Sequence, residues 1–406
     1  MAKKAIKCKK MFDSPTGSVK ENVVIFVDGE RIVSVESAAE AGDCAGYEII
    51  DMGDKFVTPG LIDSHVHLSG NGEASGLAIR PYQTLGTATL KALNNVQADL
   101  MAGFTSIRSC GDQGFIDVSL RNAINRGDFV GPRLMVPGVS LATTGGHADS
   151  HYNPYITEPY VHNVGNGTAG LKKAVRYNIK HGADFIKFMS TGGVMSLGTT
   201  VGAQQMTFEE MKAICDTAKM YGVITATHAH GTSGIRDAIK AGVTSVEHGM
   251  LMDDEGRELM LKMGTTLVPT LIAAERIIVM GPKIGTPQWG IDKANQVYGK
   301  ACESLQKCIK LGIPVAFGTD AATPHNFHGK QTYEFELLVQ NGMTPTQALT
   351  AATKTGSELM RKQADIGSIE AGKYADIAAF DGDPMTDIKA MHNCCFVMKG
   401  GEVVKG

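Results

Sequence analysis

Apolar strand candidates alternate with helical stretches through the middle of the chain, and this alternation most constrains the fold. Helices are predicted between most of the strands, for example over residues 168–181 and 207–221, where Thr207 and Glu210 form a capping box. Eight strands with helices between them over about 300 residues predict a (β/α)8 TIM barrel, with a doubly wound open sheet as the alternative. The strand candidates are residues 60–67, 104–108, 133–136, 184–188, 223–228, 245–248, 265–268 and 314–318.

Both ends of the chain carry short strands without such helices. Residues 23–27 and 31–35 flank the dipeptide Asp28-Gly29, which suits a tight hairpin turn. Further strand candidates lie at residues 375–380, 395–398 and 402–404. We therefore expect one small β-sandwich domain built from residues 1–56 and 361–406, with the barrel in residues 57–360.

The composition is that of an ordinary globular protein. The chain has 406 residues, of which 43% are hydrophobic, and a formal net charge of −3. This balance argues against nucleic acid or an anionic membrane as a partner, and no apolar run is long enough to span a bilayer. The basic N-terminus lacks a following apolar segment, so we do not expect a signal peptide. Eight scattered cysteines without a C-x-x-C pair predict reduced thiols and a cytoplasmic location. Barrels often associate, so a homo-oligomer stays open.

Potential metal ligands occur at the carboxyl ends of the predicted barrel strands. His65 and His67 are two residues apart on one strand, so both imidazoles point to the same face and can grip one metal ion. Each later position has a structural explanation of its own, such as a core histidine or a helix N-cap. Their recurrence at the end where barrel enzymes carry catalytic groups favours a metal site. These later positions are Lys187, His228, His248 and Asp320.

The residue types at these positions suit a pair of divalent ions. Imidazole and carboxylate bind zinc, and also manganese, iron or cobalt. Burial in an apolar strand favours a neutral amine at Lys187, which can take up CO2 and become a bidentate carbamate between two metals. A water that bridges the metals becomes hydroxide near neutral pH, and Asp320 can act as general base and then general acid.

Five motifs together resemble the amidohydrolase superfamily, specifically its metal-dependent branch of prolidase-like, Xaa-Arg/Lys dipeptidase-like and ochratoxinase-like enzymes. The resemblance covers nearly the whole chain. It implies that His65, His67 and Asp320 bind the more buried metal, that His228 and His248 bind the second, and that carboxylated Lys187 bridges both. The motifs are residues 59–67, 182–187, 227–231, 246–249 and 318–320.

Two further histidines are candidates for substrate binding. His228 and His230 share a strand face, so spacing alone leaves open which of them is the ligand. The resemblance points to His228 as the ligand and to His230 as a contact for the substrate carboxylate or carbonyl. His147 is the other candidate contact, although either histidine could instead be structural.

Long irregular segments between predicted elements are candidates for binding loops. We expect a lid or binding loop at residues 138–167 and a second loop at 191–200. Gly192 and Gly193 could bring backbone N–H groups near the substrate or only allow a turn. Residues 269–275 and 323–328 are further candidates for substrate specificity.

Residues 165–170 match the pattern G-x-G-x-x-G, which is typical of dinucleotide-binding sites and not of metal sites. A dinucleotide site needs a buried strand before this motif and an acidic residue about 20 positions after it. The preceding segment is instead rich in proline, tyrosine and histidine, and the acid is missing. We therefore expect these glycines to shape the loop and the start of a helix.

Taken together, the motifs predict a binuclear-metal hydrolase that cleaves the amide bond of a dipeptide or N-acyl amino acid. The expected cofactors are two divalent ions, zinc by preference, with N-carboxylated Lys187. A mononuclear-metal deaminase of the same superfamily is the main alternative, but such enzymes typically lack the bridging lysine. Ester or lactone hydrolysis stays open because it needs the same hydroxide. A scaffold that has lost its ligands is disfavoured because all six positions are filled.

Overall fold

The computed structural model describes residues 3–73, 83–149 and 163–406. Within them, the chain is an α/β protein with one mostly antiparallel sheet and two parallel sheets. The strands are β1 Lys4–Asp13, β2 Ser18–Asp28, β3 Arg31–Ser37, β4 Glu48–Asp51, β5 Phe56–Pro59, β6 Leu61–Val66, β7 Phe104–Ser109, β8 Arg133–Met135, β9 Ile186–Met189, β10 Thr225–Ala229, β11 Ser245–His248, β12 Thr266–Val268, β13 Ile377–Phe380, β14 Cys394–Lys399 and β15 Glu402–Lys405.

Both ends of the chain contribute to the largest sheet. Its strand order is β15-β14-β13-β5-β1-β2-β3, and β4 pairs with β1. The expected hairpin is present as β2 and β3, with Gly29 at a φ of 60° in the turn. Strand β5 joins the two ends, because it pairs in parallel with β1 and antiparallel with β13. This strand spans the expected domain boundary at residues 56 and 57.

The parallel strands lie in the order β6-β7-β8 in one sheet and β12-β11-β10-β9 in the other. Isolated parallel bridges link them, between Leu141 and Phe188 on one side and between Leu267 and Val315 on another. The segment of residues 314–321 also reaches β6, where the N–H of Ser64 donates to the carbonyl of Phe317 at 2.8 Å. The carboxyl ends of these strands therefore face a common region.

The expected strand at residues 314–318 is an extended segment with only one bridge, at Val315. Pro314 has no N–H to donate to a ladder. At Gly318, an added Cβ would lie 2.3 Å from Cγ1 of Val268 and 3.0 Å from Cβ of His65. The backbone thus passes very close to its neighbours here, and only glycine fits.

Helices follow most of the parallel strands, as expected. The capping box of Thr207 and Glu210 is present and starts the helix that was predicted from residue 207. The eight cysteines are all free thiols. In the described ranges, no helix is both long and apolar enough to cross a membrane. The α-helices are α1 Leu85–Met101, α2 Ile116–Arg126, α3 Gly167–Lys180, α4 Phe208–Met220, α5 Thr232–Ala241, α6 Asp254–Met263, α7 Leu271–Ile284, α8 Gln288–Leu311, α9 Tyr333–Gln340, α10 Pro345–Thr350 and α11 Gly356–Leu359.

Candidate metal centre and active site

The histidines predicted as ligands converge at the carboxyl ends of the parallel strands. Ring centroids of His65 and His67 are 5.6 Å apart, and those of His65 and His248 are 4.9 Å apart. The His228 ring lies 4.7 Å from that of His248. Residues that are far apart in the sequence therefore line one small volume.

His65 is held by a buried ion pair that the sequence did not reveal. Its Nδ1 lies 2.8 Å from Oε2 of Glu247, and the guanidinium of Arg108 contacts the same carboxylate at 2.8 and 2.9 Å. Burial alone would raise the pKa of Glu247, but Arg108 and His65 hold it at about 2. An ionised Glu247 accepts the proton of Nδ1, so Nε2 is the nitrogen of His65 that faces the site.

His67 and His248 are oriented in the same way. Nδ1 of His67 lies 2.8 Å from the carbonyl oxygen of Gly111, which can only accept a hydrogen bond. Nδ1 of His248 lies 2.6 Å from Oγ1 of Thr270. Both rings therefore present Nε2 to the site. Glu247 and the Gly111 carbonyl can only accept, so they place the proton of their histidines on Nδ1, as is typical of metal-binding histidines, whereas the Thr270 hydroxyl orients the His248 ring without fixing its tautomer.

Asp320 faces these rings. Its Oδ1 lies 3.4 Å from Nε2 of His65 and 3.3 Å from Nε2 of His67. Burial raises the pKa of Asp320, but the two histidines hold it well below its usual range. Burial lowers the pKa of His65, whereas Cys110 and Asp320 raise it well above its usual value. The region between the Asp320 carboxylate and the rings of His65 and His67 thus favours a positive charge.

Two of the predicted ligands have unusual backbone conformations. His248 has a φ of 71° and Asp320 a φ of 58°, both in the left-handed region that non-glycine residues seldom adopt. The partner of His248, Thr270, also has a positive φ, of 49°. Such conformations cost about 1–3 kcal/mol each and persist where the surroundings impose them, often at functional sites.

The rings of His228 and His248 are neutral. Burial lowers the pKa of both His228 and His248 well below its usual value, and the neighbouring imidazoles add to this effect. Nε2 of His228 is buried and makes no hydrogen bond with any part of the chain that the structure describes. A neutral imidazole with an unshared electron pair is the form that binds a metal ion.

Lys187 lies beneath these rings on β9. Its side chain is only 1% exposed, and its Nζ forms no hydrogen bond or ion pair with the described residues. As a cation it would lower the pKa values of His147, His228 and His248, which surround it. Lys187 thus lies in the same buried volume as these histidines.

The two histidines predicted to contact the substrate lie beside His228. The His147 ring is 4.1 Å from the His228 ring, and the His230 ring is 4.5 Å from it. Burial lowers the pKa of His147 to about 4 and that of His230 to about 3. Nδ1 of His230 is buried without a hydrogen bond in the described ranges. Both side chains are therefore neutral at pH 7, and each can offer one N–H.

The glycines after β9 serve packing. At Gly193, an added Cβ would lie 2.3 Å from the His147 ring, and at Gly192 it would lie 2.4 Å from the carbonyl oxygen of Thr200. The N–H of Gly192 donates to the carbonyl of Ala203 at 2.8 Å and is not available to a substrate. Gly193 instead makes room for the His147 side chain.

The other loop predictions have mixed outcomes. Gly165 and Gly170 pack against each other where α3 begins, as expected for glycines that shape a helix start. The expected binding loop at residues 138–167 is described up to residue 149 and from residue 163, and its middle lies outside the described residues.

The donor set fits a metal ion. Donor atoms of His65, His248 and Asp320 all lie within 4.8 Å of one another. Two imidazoles and a carboxylate at this spacing are a ligand set that suits zinc and similar divalent ions. The geometry does not divide this group into two sites, because His248 lies as near to His65 as to the rings on the other side.

Sequence reasoning missed Glu247, Arg108 and Thr270. A charged residue in an otherwise apolar strand was the signal used for Lys187, and it applies equally to Glu247 in β11 and to Arg108 in β7. Thr270 gives no such signal, since its role depends on where the chain turns after β12.

Comparison with known proteins agrees with this geometry. The amidohydrolase family model matches residues 56–404, so the chain belongs to the amidohydrolase family. It is 32% identical over 377 residues to the ochratoxinase of Aspergillus niger. The alignment covers 86% of this chain and 75% of that protein. The crystal structure of a Xaa-Pro dipeptidase with methionine bound in its active site superposes with a TM-score of 0.93, at 36% identity and with 100% of both chains covered. A prolidase complexed with N-methylphosphonate-L-proline gives a TM-score of 0.91 at 31% identity, with 99% of both chains covered.

These relationships confirm the resemblance to prolidase-like and ochratoxinase-like enzymes. The protein is a hydrolase of the amidohydrolase type that acts on carbon–nitrogen bonds of small molecules. The family and its structural neighbours imply a TIM barrel with an additional domain, and members of the family generally use metal ions.

Proposed function

We propose that the protein is a binuclear-metal hydrolase that cleaves the amide bond of a dipeptide or an N-acyl amino acid, as a metallo-dipeptidase or carboxypeptidase does. One observation carries this proposal: Lys187 is only 1% exposed at the carboxyl ends of the parallel strands, and Nε2 of His228 is buried there without a hydrogen bond in the described residues. A single-metal site would have no use for that lysine. A Xaa-Pro dipeptidase and a prolidase among the structural neighbours support the substrate class.

Two divalent ions, zinc by preference, would be held by the six predicted ligands. His65, His67 and Asp320 would hold the first ion, with Nε2 of both histidines already oriented toward it. His228 and His248 would hold the second. Carboxylated Lys187 would bridge the pair with a carbamate, which supplies the negative charge that two close cations require.

The chain's own residues would bind the substrate and move the proton. When bound, the ions polarise the scissile carbonyl and lower the pKa of a coordinated water toward neutrality. Oδ1 of Asp320 would accept a proton from the attacking water and deliver it to the leaving nitrogen, a role that its low pKa allows at pH 7. Neutral His230 and His147 would each offer one N–H to the substrate.

The same proposal includes the finer architecture. The eight parallel segments would close into a (β/α)8 barrel over residues 57–360, and residues 1–56 and 361–406 would form a β-sandwich domain. The bridges at Leu141, Val315 and Ala321 support closure, since they link neighbouring strands at each gap between the sheets. We expect the protein to work in the cytoplasm, with a homo-oligomer as an open possibility.

Metal analysis and a substrate screen test the proposal. The purified protein, supplied with zinc and bicarbonate, should contain two metal ions per chain, and Lys187→Ala should contain fewer than two. Lys180→Ala, an exposed lysine at the end of α3, serves as the matched control and should retain both ions. The loaded enzyme should hydrolyse members of a library of dipeptides and N-acetyl amino acids. One ion per chain together with ammonia release from amino-substituted rings would instead identify a deaminase.

A further inference from the structure

Lys293 fastens the loop after β9 to helix α8. Its Nζ donates to the carbonyl oxygen of Ser196 at 2.7 Å and to that of Thr199 at 2.6 Å. Its ammonium also lies 5.3 Å from the centre of the Trp289 ring, one helical turn earlier. The cation is thereby held in place at the tip of this loop.

The same loop reaches the candidate substrate-binding residues. Oγ of Ser196 forms a short hydrogen bond with Nδ1 of His147. The N–H of His147 donates to Oε1 of Gln205 at 2.9 Å, which anchors the histidine to the far side of the loop. Ser196 thus contacts Lys293 through its carbonyl oxygen and His147 through its hydroxyl, so Lys293 lies one residue away from this candidate substrate contact.

The ammonium of Lys293 has no anionic partner in the described ranges. It forms hydrogen bonds to two carbonyl oxygens, and none of the ion pairs in those ranges includes it. The side chain is partly buried, and burial lowers its pKa. An ammonium carries three N–H donors, and the described residues account for two of them and supply no negative charge.

The hydrogen-bond partners of Lys293 leave its charge unneutralised, because both are carbonyl oxygens. A carboxylate that enters a partly buried site needs a cation to offset its loss of hydration. Lys293 is a cation fixed in place next to His147, since Ser196 contacts both of them.

We propose that Lys293 binds the free carboxylate of the substrate and so selects N-acyl amino acids and dipeptides over their C-terminal amides. This inference rests on the proposed function and deepens it. The substrate carboxylate would lie between the ammonium of Lys293 and the ring N–H of His147, with the scissile amide directed toward Asp320. Lys293 would thus be a specificity-determining residue of this site.

A purely structural role for Lys293 predicts a different outcome. If the ammonium only fastened the loop, its loss would displace His147 and weaken every substrate to the same degree. Lys293→Gln keeps N–H donors for the carbonyls of Ser196 and Thr199 but removes the charge. Lys293→Met removes both the donors and the charge. The exposed Lys300 on the same helix provides the control Lys300→Met.

The experiment measures kcat/KM for matched pairs of N-acetyl amino acids and their C-terminal amides. The wild type should prefer the carboxylates by about 10- to 100-fold, the range for a hydrogen bond to a charged group. Lys293→Gln and Lys293→Met should lose that preference, mainly through KM, while Lys300→Met keeps it. An equal loss for both members of each pair, or a wild type that does not distinguish them, overturns the proposal.

A binding assay separates failure of this inference from failure of the proposed function. Thermal denaturation is followed with the same N-acetyl amino acids and amides, which requires no turnover. If nothing is hydrolysed, the proposed function fails, and the shift in Tm decides the role of Lys293. Stabilisation by the carboxylates alone, lost in Lys293→Gln, supports carboxylate binding. Equal stabilisation by carboxylates and amides contradicts it.

Discussion

The two sides of the active site differ in how completely their side chains are already bonded. On the anchored side, His65, His67 and His248 each have a fixed second partner on Nδ1. On the open side, His228 and His230 each keep a buried nitrogen without a hydrogen bond in the described ranges. The anchored side is organised before any ligand arrives, whereas the open side is completed by what it binds. We therefore expect substitutions on the anchored side to affect metal binding and chemistry, and those at His230 to affect the substrate.

The largest effect is expected for Asp320→Asn, which removes the carboxylate that faces the anchored side. An amide cannot accept the proton of the attacking water, so kcat should fall by about 10²- to 10⁴-fold, the usual contribution of general acid–base catalysis. Most of the metal should remain bound. Steady-state kinetics together with metal analysis measure both. Retention of more than about a tenth of kcat would refute the proton-transfer role, given that range.

A smaller effect is expected for Glu247→Gln, which weakens the orientation of His65. The substitution also leaves Arg108 without its buried counter-ion. Metal affinity should fall by about 10- to 100-fold, as for other second partners of metal-binding histidines. Competition with a chelator gives the affinity. Ser245→Ala is the matched control, because it removes one hydrogen bond from Arg108 and one from Glu247 but leaves Glu247 on His65. Equal losses in the two variants would contradict a separate role of Glu247 in orienting His65.

The smallest effect is expected on the open side, for the pH dependence of stability in His230→Gln. In the folded protein, the pKa of His230 is about 3, whereas an unfolded histidine has a pKa of about 6.5. The unfolded chain thus binds the proton first, and the stability due to this group is present above pH 6.5 and is lost as pH falls toward 3. The loss should reach about 2 kcal/mol at pH 5.

Urea denaturation of the metal-loaded protein at pH 7 and pH 5 measures this difference. The variant should lose less stability than the wild type over that interval and should keep its full metal content. His181→Gln replaces an exposed histidine at the end of α3 and should follow the wild type. A fall in the metal content of His230→Gln would instead identify His230 as a metal ligand.

The sequence was most informative at residues whose type is unusual for their predicted position. A buried lysine, a histidine pair at strand spacing and an aspartate after a strand predicted positions that the structure brings together, although their roles as ligands remain proposals. The partners of those residues were not predictable in the same way. Glu247 pairs with His65 from 182 positions away, and the contact depends on how the strands are arranged.

Local geometry explains the remaining differences. The segment at residues 314–318 has the apolar pattern of a strand but only one bridge, because Pro314 lacks an N–H and Gly318 passes too close to Val268 for regular pairing. For Gly192 and Gly193, the sequence allowed two interpretations, either backbone N–H groups near the substrate or only a turn. Only the position of the His147 ring shows that Gly193 provides space for a side chain.

The left-handed backbone conformations of His248 and Asp320 create a conflict between backbone stability and the presence of a side chain. At each position the chain adopts a conformation that glycine would adopt freely, yet it carries a side chain that glycine lacks. Replacement by glycine would relax the backbone and delete the functional group in a single step. At these two residues a relaxed backbone and the proposed ligand are therefore mutually exclusive, so a search for stabilising substitutions by backbone conformation alone would select against the proposed metal site.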